Sequence, residues 1–277
     1  IHFSHETRHA LMMRLLGAVR TTAATLLPVA ASTIAIAAPL LLVRRLRSRA
    51  TPSLRLTYLD IKGYAEPIRL ALTVGDIPFE DVRTDYAGVH ALRESGRLPF
   101  GQVPLLEIDG VPHCQSLALL RYAGIASGLY PPELQLRVDG VEETLQDIRK
   151  AFTPMWYKNA AGRHPKTGDF FSATALNAAQ VAALQAALND DILPGRFAML
   201  ERVLSESGGP FFCGEQMTTC DLSYYVMGSG LVDGSYCEGI DATALLRECP
   251  KLRGLVDAVR AHPRVAEWNE RVNGEKL

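Results

Sequence analysis

The sequence predicts an α/β domain followed by an all-α domain, behind a hydrophobic N-terminal extension. Three observations carry this expectation. Residues 98–122 (LPFGQVPLLEIDGVPHCQSLALLRY) read as strand, tight turn, strand and helix start. Residues 54–59 alternate apolar and polar side chains ahead of a helical pattern. From Glu133 onward the hydrophobic period is helical. A chain of 277 residues holds two domains, or one plus an appendage.

Residues 1–53 form an anchor or targeting segment with its linker. Residues 21–43 carry no charge; Arg14 and Arg20 precede them, and Arg44, Arg45, Arg47 and Arg49 follow. About 20 apolar residues are enough to span a bilayer as a helix. An Arg-rich, acid-poor stretch with much Ser, Thr and Ala also fits a targeting segment that is later removed. Pro28 and Pro39 also leave a soluble irregular tail open. As an anchor, its heavier basic flank would keep the folded part in the cytosol. As a presequence, it would deliver that part to an organelle.

The next elements are a strand at 54–59, a helix at 66–75 with Pro67 tolerated in its first turn, and a strand at 79–83. Residues 86–97 are polar and read as irregular. Pro104 heads the third strand, where its missing N–H is tolerated. Asp109-Gly110 is a two-residue hairpin signal. A helix then opens at Gln115-Ser116, and a helix N-terminus with a serine hydroxyl suits a carboxylate. This βαβ–ββα order is a thioredoxin-like layout over residues 54–128. Residues 128–132 (GLYPP) link it to an all-helical domain over residues 133–277. Breaks in the helical pattern fall at 162–168, 190–191, 205–210 and 228–239.

Charge is unevenly placed. Residues 1–55 hold eight Lys/Arg and one acidic residue, and the remainder holds 21 basic and 29 acidic residues. An acidic body argues against nucleic acid as a partner. The five cysteines are odd in number and form no CxxC, which favours reduced thiols over a disulfide framework. No His/Cys cluster has zinc spacing, so no metal is expected.

Several ordered motifs together resemble the cytosolic glutathione transferases. Val103-Pro104 followed by Gln115-Ser116 is similar to their glutathione-binding half. Residues 56–69 (LTYLDIKGYAEPIR) resemble their first strand, catalytic loop and first helix. Residues 138–148 (VDGVEETLQDI) and 211–222 (FFCGEQMTTCDL) resemble their helical domain. The tyrosine-type classes are nearest in pattern, sigma above all, with mu and pi as neighbours.

The resemblance implies transfer of the glutathione thiolate to small apolar electrophiles, a detoxification chemistry, by a homodimer. Glutathione is then a substrate. Tyr58 would be catalytic, its phenol donating to the sulfur and lowering the thiol pKa. Gln115 and Ser116 would grip the γ-glutamyl carboxylate. Val103, before a cis Pro104, would pair with the glutathione backbone. Asp147, or Glu143 one turn earlier, would reach the glutathione amine from the opposite subunit. Thr218 and Asp221 form a structural capping pattern. Phe152, Met155, Trp156 and Tyr157 are candidates for the electrophile wall, with residues 162–168 as a mobile rim. The same resemblance admits a glutathione-dependent isomerase of prostaglandin type, or a glutathione-binding scaffold without turnover.

The sequence also departs from the sigma pattern. Tyr64 stands where Arg is usual, and Gln102 where Lys is common. The usual Trp and Lys before the hairpin have only Val89 or His90 and Arg93 nearby. Fewer cations would weaken binding of the glycine carboxylate, since a bond to a charged group contributes about 1.5–3 kcal/mol. Arg93 or Arg97 is left to compensate.

Overall fold

The computed structural model describes residues 52–158, 162–163, 170–172 and 175–273. These belong to the unit Pro52–Leu277. The expected anchor or targeting run at 21–43 lies outside the described residues, as do residues 164–168 of the expected rim.

The first half is an α/β layer. Strand β1 (Leu54–Leu59) turns Leu54, Leu56 and Tyr58 into the core. Helix α1 (Glu66–Val74) starts with Pro67 in its first turn and buries Ile68, Leu70 and Leu72. Strand β2 (Glu80–Thr84) pairs parallel with β1. Strands β3 (Leu105–Ile108) and β4 (Val111–Cys114) form the expected hairpin, and the sheet order is β2-β1-β3-β4. At its turn Asp109 and Gly110 have φ of 51° and 81°, the positive pair that a tight right-twisted hairpin requires. Helix α3 (Ser116–Ser127) packs on α1, and Gly128 ends it at φ 76°. This is the thioredoxin-like arrangement.

One segment differs from the sequence expectation. Residues 86–94 are not irregular but form helix α2 (Tyr86–Glu94). The Asp85 carboxylate accepts from the Gly88 N–H at 2.8 Å and caps it. Val89 is buried beneath it and Leu92 packs against the core, one residue per turn, too sparse a stripe to show against a polar background.

The second half is helical. A short 3₁₀ turn (Pro132–Leu134) leads into α4 (Gln135–Trp156), whose buried stripe runs Val138, Val141, Leu145, Ile148, Phe152 and Met155. Strands β5 (Gly162–Arg163) and β6 (Phe170–Ser172) make a small ribbon. Helix α5 (Ala178–Ala187) runs through a π turn (Leu188–Ile192) into α6 (Leu193–Glu206), so the expected break at 190–191 widens the helix without ending it. Helices α7 (Thr219–Val232), α8 (Ala242–Arg247), α9 (Pro250–Arg260) and α10 (Pro263–Asn273) follow.

Helix α7 is the centre of this half. Asp221 accepts from the backbone N–H groups of Thr218 and Phe212 at 2.7 and 2.8 Å, as the Thr-x-x-Asp pattern leads one to expect. Every residue from Thr219 to Leu231 is buried. Gly228 and Gly230, read from sequence as breakers, lie inside this helix. A Cβ at Gly228 would meet Val256 of α9 at 2.9 Å, so these glycines serve close approach of neighbours.

Buried charges brace the fold, one group across the junction of the halves and one inside the helical half. Arg69 of α1 is fully buried; its guanidinium donates to Asp81 at 2.9 Å, to Glu66 at 3.1 Å and to the Ile61 carbonyl at 3.0 Å. The other Glu66 oxygen accepts from the Trp268 indole of α10 at 2.8 Å. On α4, Glu142 is buried and accepts from Ser223 of α7 at 2.7 Å, while its second oxygen has no hydrogen-bond partner.

Burial pushes the Glu142 carboxyl up from 4.5 to about 7, although Arg149 and Ser223 act the other way. Folded Glu142 therefore holds its proton more tightly than unfolded Glu142. Its contribution to stability is complete below about pH 4.5 and is lost as pH rises through about 7. Glu142→Gln keeps an oxygen for Ser223 and cannot ionise. In urea unfolding it should gain on the native chain by about 2–3 kcal/mol between roughly pH 5 and pH 8. Parallel pH profiles for the two proteins would contradict this.

Candidate active site

Tyr58 lies near the end of β1, where the strand gives way to the loop at 60–65. Its ring is buried at 4 % exposure. Its hydroxyl accepts from the Tyr64 N–H at 3.3 Å. The loop reaches under the ring because Gly63 takes φ 46°; a Cβ there would meet the hydroxyl at 2.8 Å. No residue among those described accepts the hydroxyl proton. Burial pushes the phenol up to about 12, so at neutral pH it is a protonated donor.

This hydroxyl faces a cavity of about 680 Å³, within the usual range for small-molecule sites. The α/β half supplies one wall: Tyr58, Tyr64, Val89, Arg93, Gln102 and Val103 all border it. The helical half supplies the other: Arg149, Trp156 and Tyr157 from the end of α4, Val226 and Gly230 from α7, and Tyr236 after it. Trp156 is fixed by its indole N–H, which donates to the Tyr236 carbonyl at 2.8 Å. Burial also pushes Tyr157 up to about 12, so this second phenol is protonated too.

The backbone before β3 is arranged as an open edge. The Val103–Pro104 peptide is cis. The Cys114 thiol donates to the Gln102 carbonyl at 3.2 Å, and Arg93 donates to the Gly101 carbonyl at 3.0 Å. Arg93 thus braces the loop as well as bordering the cavity. Gln115 stands at φ 80° just before α3, and Ser116 is the first residue of that helix, so free N–H groups of its first turn are presented beside the hairpin.

The remaining sequence candidates lie elsewhere. Asp147 is exposed on α4 and pairs with Lys150 at 2.8 Å, which holds its carboxyl below the ordinary range. It does not border the cavity of its own chain. Phe152 and Met155 are buried at 0 % and 4 % and do not border it either. Phe152 instead stacks on Trp156 at 6.0 Å and meets the Tyr236 ring edge-on at 5.3 Å. Of that aromatic group, Trp156 and Tyr157 reach the cavity. Arg97 is engaged with Glu107 at 2.6 Å, and His90 lies exposed beside Glu94. Among the described residues no group of three or more His, Cys, Asp or Glu could hold a metal ion.

Sequence reasoning missed Arg149 and Tyr236. Arg149 is 5 % exposed, and its guanidinium lies 5.4 Å from the centre of the Tyr64 ring. A signal existed: Arg149 continues the spacing Glu142, Leu145, Arg149, Phe152 on the buried face of α4.

Comparison with known proteins adds to this geometry. The family model for the glutathione S-transferase N-terminal domain matches residues 54–124. The model for the glutathione S-transferase C-terminal domain matches residues 169–271. The chain is 34 % identical over 173 residues to Glutathione S-transferase 1 of Ascaris suum, covering 62 % of this chain and 76 % of that protein. It is 29 % identical over 219 residues to Hematopoietic prostaglandin D synthase of Gallus gallus, covering 78 % and 95 %. A solved prostaglandin synthase D of Nilaparvata lugens superposes with a TM-score of 0.63 at 23 % identity, over 79 % of this chain and 98 % of that one. A solved nematode-specific GST of C. elegans gives 0.65 at 23 % identity, over 79 % of this chain and 97 % of that one. These two likenesses speak to the fold.

Proposed function

Given that this chain belongs to the glutathione S-transferase family, we propose that its transfer reaction is of the tyrosine type, near the sigma class, with Tyr58 as the donor to the sulfur of bound glutathione. The protein is a transferase with glutathione as a substrate. The observation that carries the tyrosine reading is the Tyr58 hydroxyl itself. It faces the cavity, takes a hydrogen bond from the Tyr64 N–H, and has its own proton to give.

A phenol held in this way stabilises a thiolate over a thiol. A free thiol titrates near 8.5, and lowering it by about 2 units requires about 3 kcal/mol. One charge-assisted hydrogen bond supplies about 1.5–3 kcal/mol of this, and the low polarity of the cavity strengthens it. The thiolate is the attacking species. Val103 is proposed to pair with the glutathione backbone, and Gln115 and Ser116 to hold the γ-glutamyl carboxylate at the start of α3. Tyr64, Arg93, Gln102 and Pro104 complete the proposed glutathione side, and Trp156 borders the electrophile side. The relatives named as prostaglandin D synthases favour one second reading, glutathione-dependent isomerisation of an endoperoxide in the same cavity.

Asp147 faces away from its own cavity, which is compatible with service to the cavity of a second subunit; a homodimer is therefore part of the proposal. Among the described residues no helix is long and apolar enough to cross a membrane. Attachment or delivery through residues 21–43, with the folded part in the cytosol or an organelle, stays part of the proposal on sequence grounds alone.

Tyr58→Phe should lower turnover of a generic aromatic electrophile by about 10–1000-fold while glutathione affinity changes little. Undiminished turnover would remove Tyr58 from the chemistry. Light scattering at micromolar concentration should give a dimer mass, and Asp147→Ala should raise the KM for glutathione. A monomer with full activity would take Asp147 out of the site.

A further inference from the structure

Arg149 is the charge that the proposed reaction leaves unused. It sits on α4 with its guanidinium in the cavity wall, 5 % exposed. A buried guanidinium ordinarily spends its five N–H groups on acceptors. Among the described residues no carboxylate or carbonyl oxygen accepts from Arg149; its polar neighbour is the Tyr236 hydroxyl, a single neutral group that leaves most of the guanidinium N–H groups to the cavity. The acid on its own helix face, Glu142, is seven residues earlier, about 10 Å along the axis, and is bonded to Ser223.

The other charges on the wall are engaged. Arg83 pairs with Asp60 at 3.0 Å and with Asp81 at 3.0 Å. Arg93 donates to the Gly101 carbonyl, Lys62 has a partner of its own, and Asp233 accepts from the Ser235 N–H. Arg149 is thus the buried cation of the cavity wall that no described carboxylate meets at hydrogen-bond range. Burial alone would lower the pKa of Arg149, but Tyr236, Glu142 and Tyr64 raise it above its ordinary value, so the charge persists.

We propose that Arg149 is a specificity determinant that selects electrophiles carrying a carboxylate or sulfonate, which it binds while the reacting carbon faces Tyr58. This rests on the transfer reading above. Tyr64 sets the geometry: its N–H touches the Tyr58 hydroxyl and its ring lies beneath the Arg149 guanidinium. The anion site and the sulfur site are thus one side chain apart. An aryl substrate with its anion across the ring from the reacting carbon spans them, between Trp156 and Tyr64. With a chloronitrobenzoate, the glutathione sulfur forms a bond to the ring carbon, the carbon–chlorine bond breaks, chloride leaves with the electron pair, and the thiol proton passes to water.

The test compares 4-chloro-3-nitrobenzoate with neutral 4-chloro-3-nitrobenzamide on the full chain, native and as Arg149→Met and Arg149→Lys. The ratio of kcat/KM, anionic over neutral, should fall at least about tenfold in Arg149→Met and be largely kept in Arg149→Lys, as expected when a bond to a charged group is lost. An unchanged ratio overturns the proposal. So does an equal loss on both substrates, which would put Arg149 at the thiolate. A second measurement needs no variant and no turnover: quenching of tryptophan fluorescence by anilinonaphthalene sulfonate and by neutral N-phenylnaphthylamine. Tighter binding of the sulfonate by the native chain, weakened by high salt, supports the anion site even if neither electrophile is turned over, in which case the transfer reading alone fails. Equal or weaker binding of the sulfonate overturns it.

Discussion

Arg69 is the buried charge on which the site depends. Its guanidinium fastens α1 through Glu66, β2 through Asp81 and the reacting loop through the Ile61 carbonyl. Glu66 then carries the link to Trp268 of α10. A charge with no exposure has to be met by partners at close range, and removing one partner from such a group costs about 3–5 kcal/mol. The loop that brings the Tyr64 N–H to the Tyr58 hydroxyl is therefore not free to drift. The same group sets how α10 meets the α/β layer.

The cavity is built across this junction, and its two walls differ in kind. The α/β wall is made of the Tyr58 phenol, the loop at 60–64, the backbone stretch Gln102–Val103 and polar side chains such as Arg93. The helical wall is aromatic, with one guanidinium set into it. Tyr64 and Arg149 form a unit across the gap. The loop position where the sigma pattern leads one to expect an arginine holds a ring, and the cation stacked on that ring comes from α4. Charge has not been removed from the cavity; it enters from the opposite side.

Much of this was legible in the sequence because the signals were local. Alternation marked β1, the Asp109-Gly110 pair marked the hairpin, and Thr218 with Asp221 marked the start of α7. The rest required distant chain. Helix α2 is held by a cap and two apolar contacts, too few to raise a periodic pattern. Gly228 and Gly230 read as breakers because their purpose, room for Val256 and Tyr236, belongs to other parts of the fold. Phe152 and Met155 have the right chemistry for a substrate wall, yet helix phase turns them into the core, leaving Trp156 and Tyr157 at the cavity. Arg149 was hidden by its neighbours Asp147 and Lys150, an exposed pair that makes the stretch look solvated.

Helix α7 divides the lining of the cavity into a part on which the core depends and a part on which it does not. Val226 and Gly230 border the cavity from a helix with no exposed residue between Thr219 and Leu231. A substitution there disturbs α9 or the Tyr236 segment before it reshapes the cavity. The rest of the rim, with Tyr86 on α2 and Asp233 and Ser235 just beyond α7, is made of exposed side chains that carry little of the core. One side of the cavity is bound to the architecture and the other is free of it. Side chains on that margin can therefore be exchanged to alter what the cavity admits without loosening the helical half.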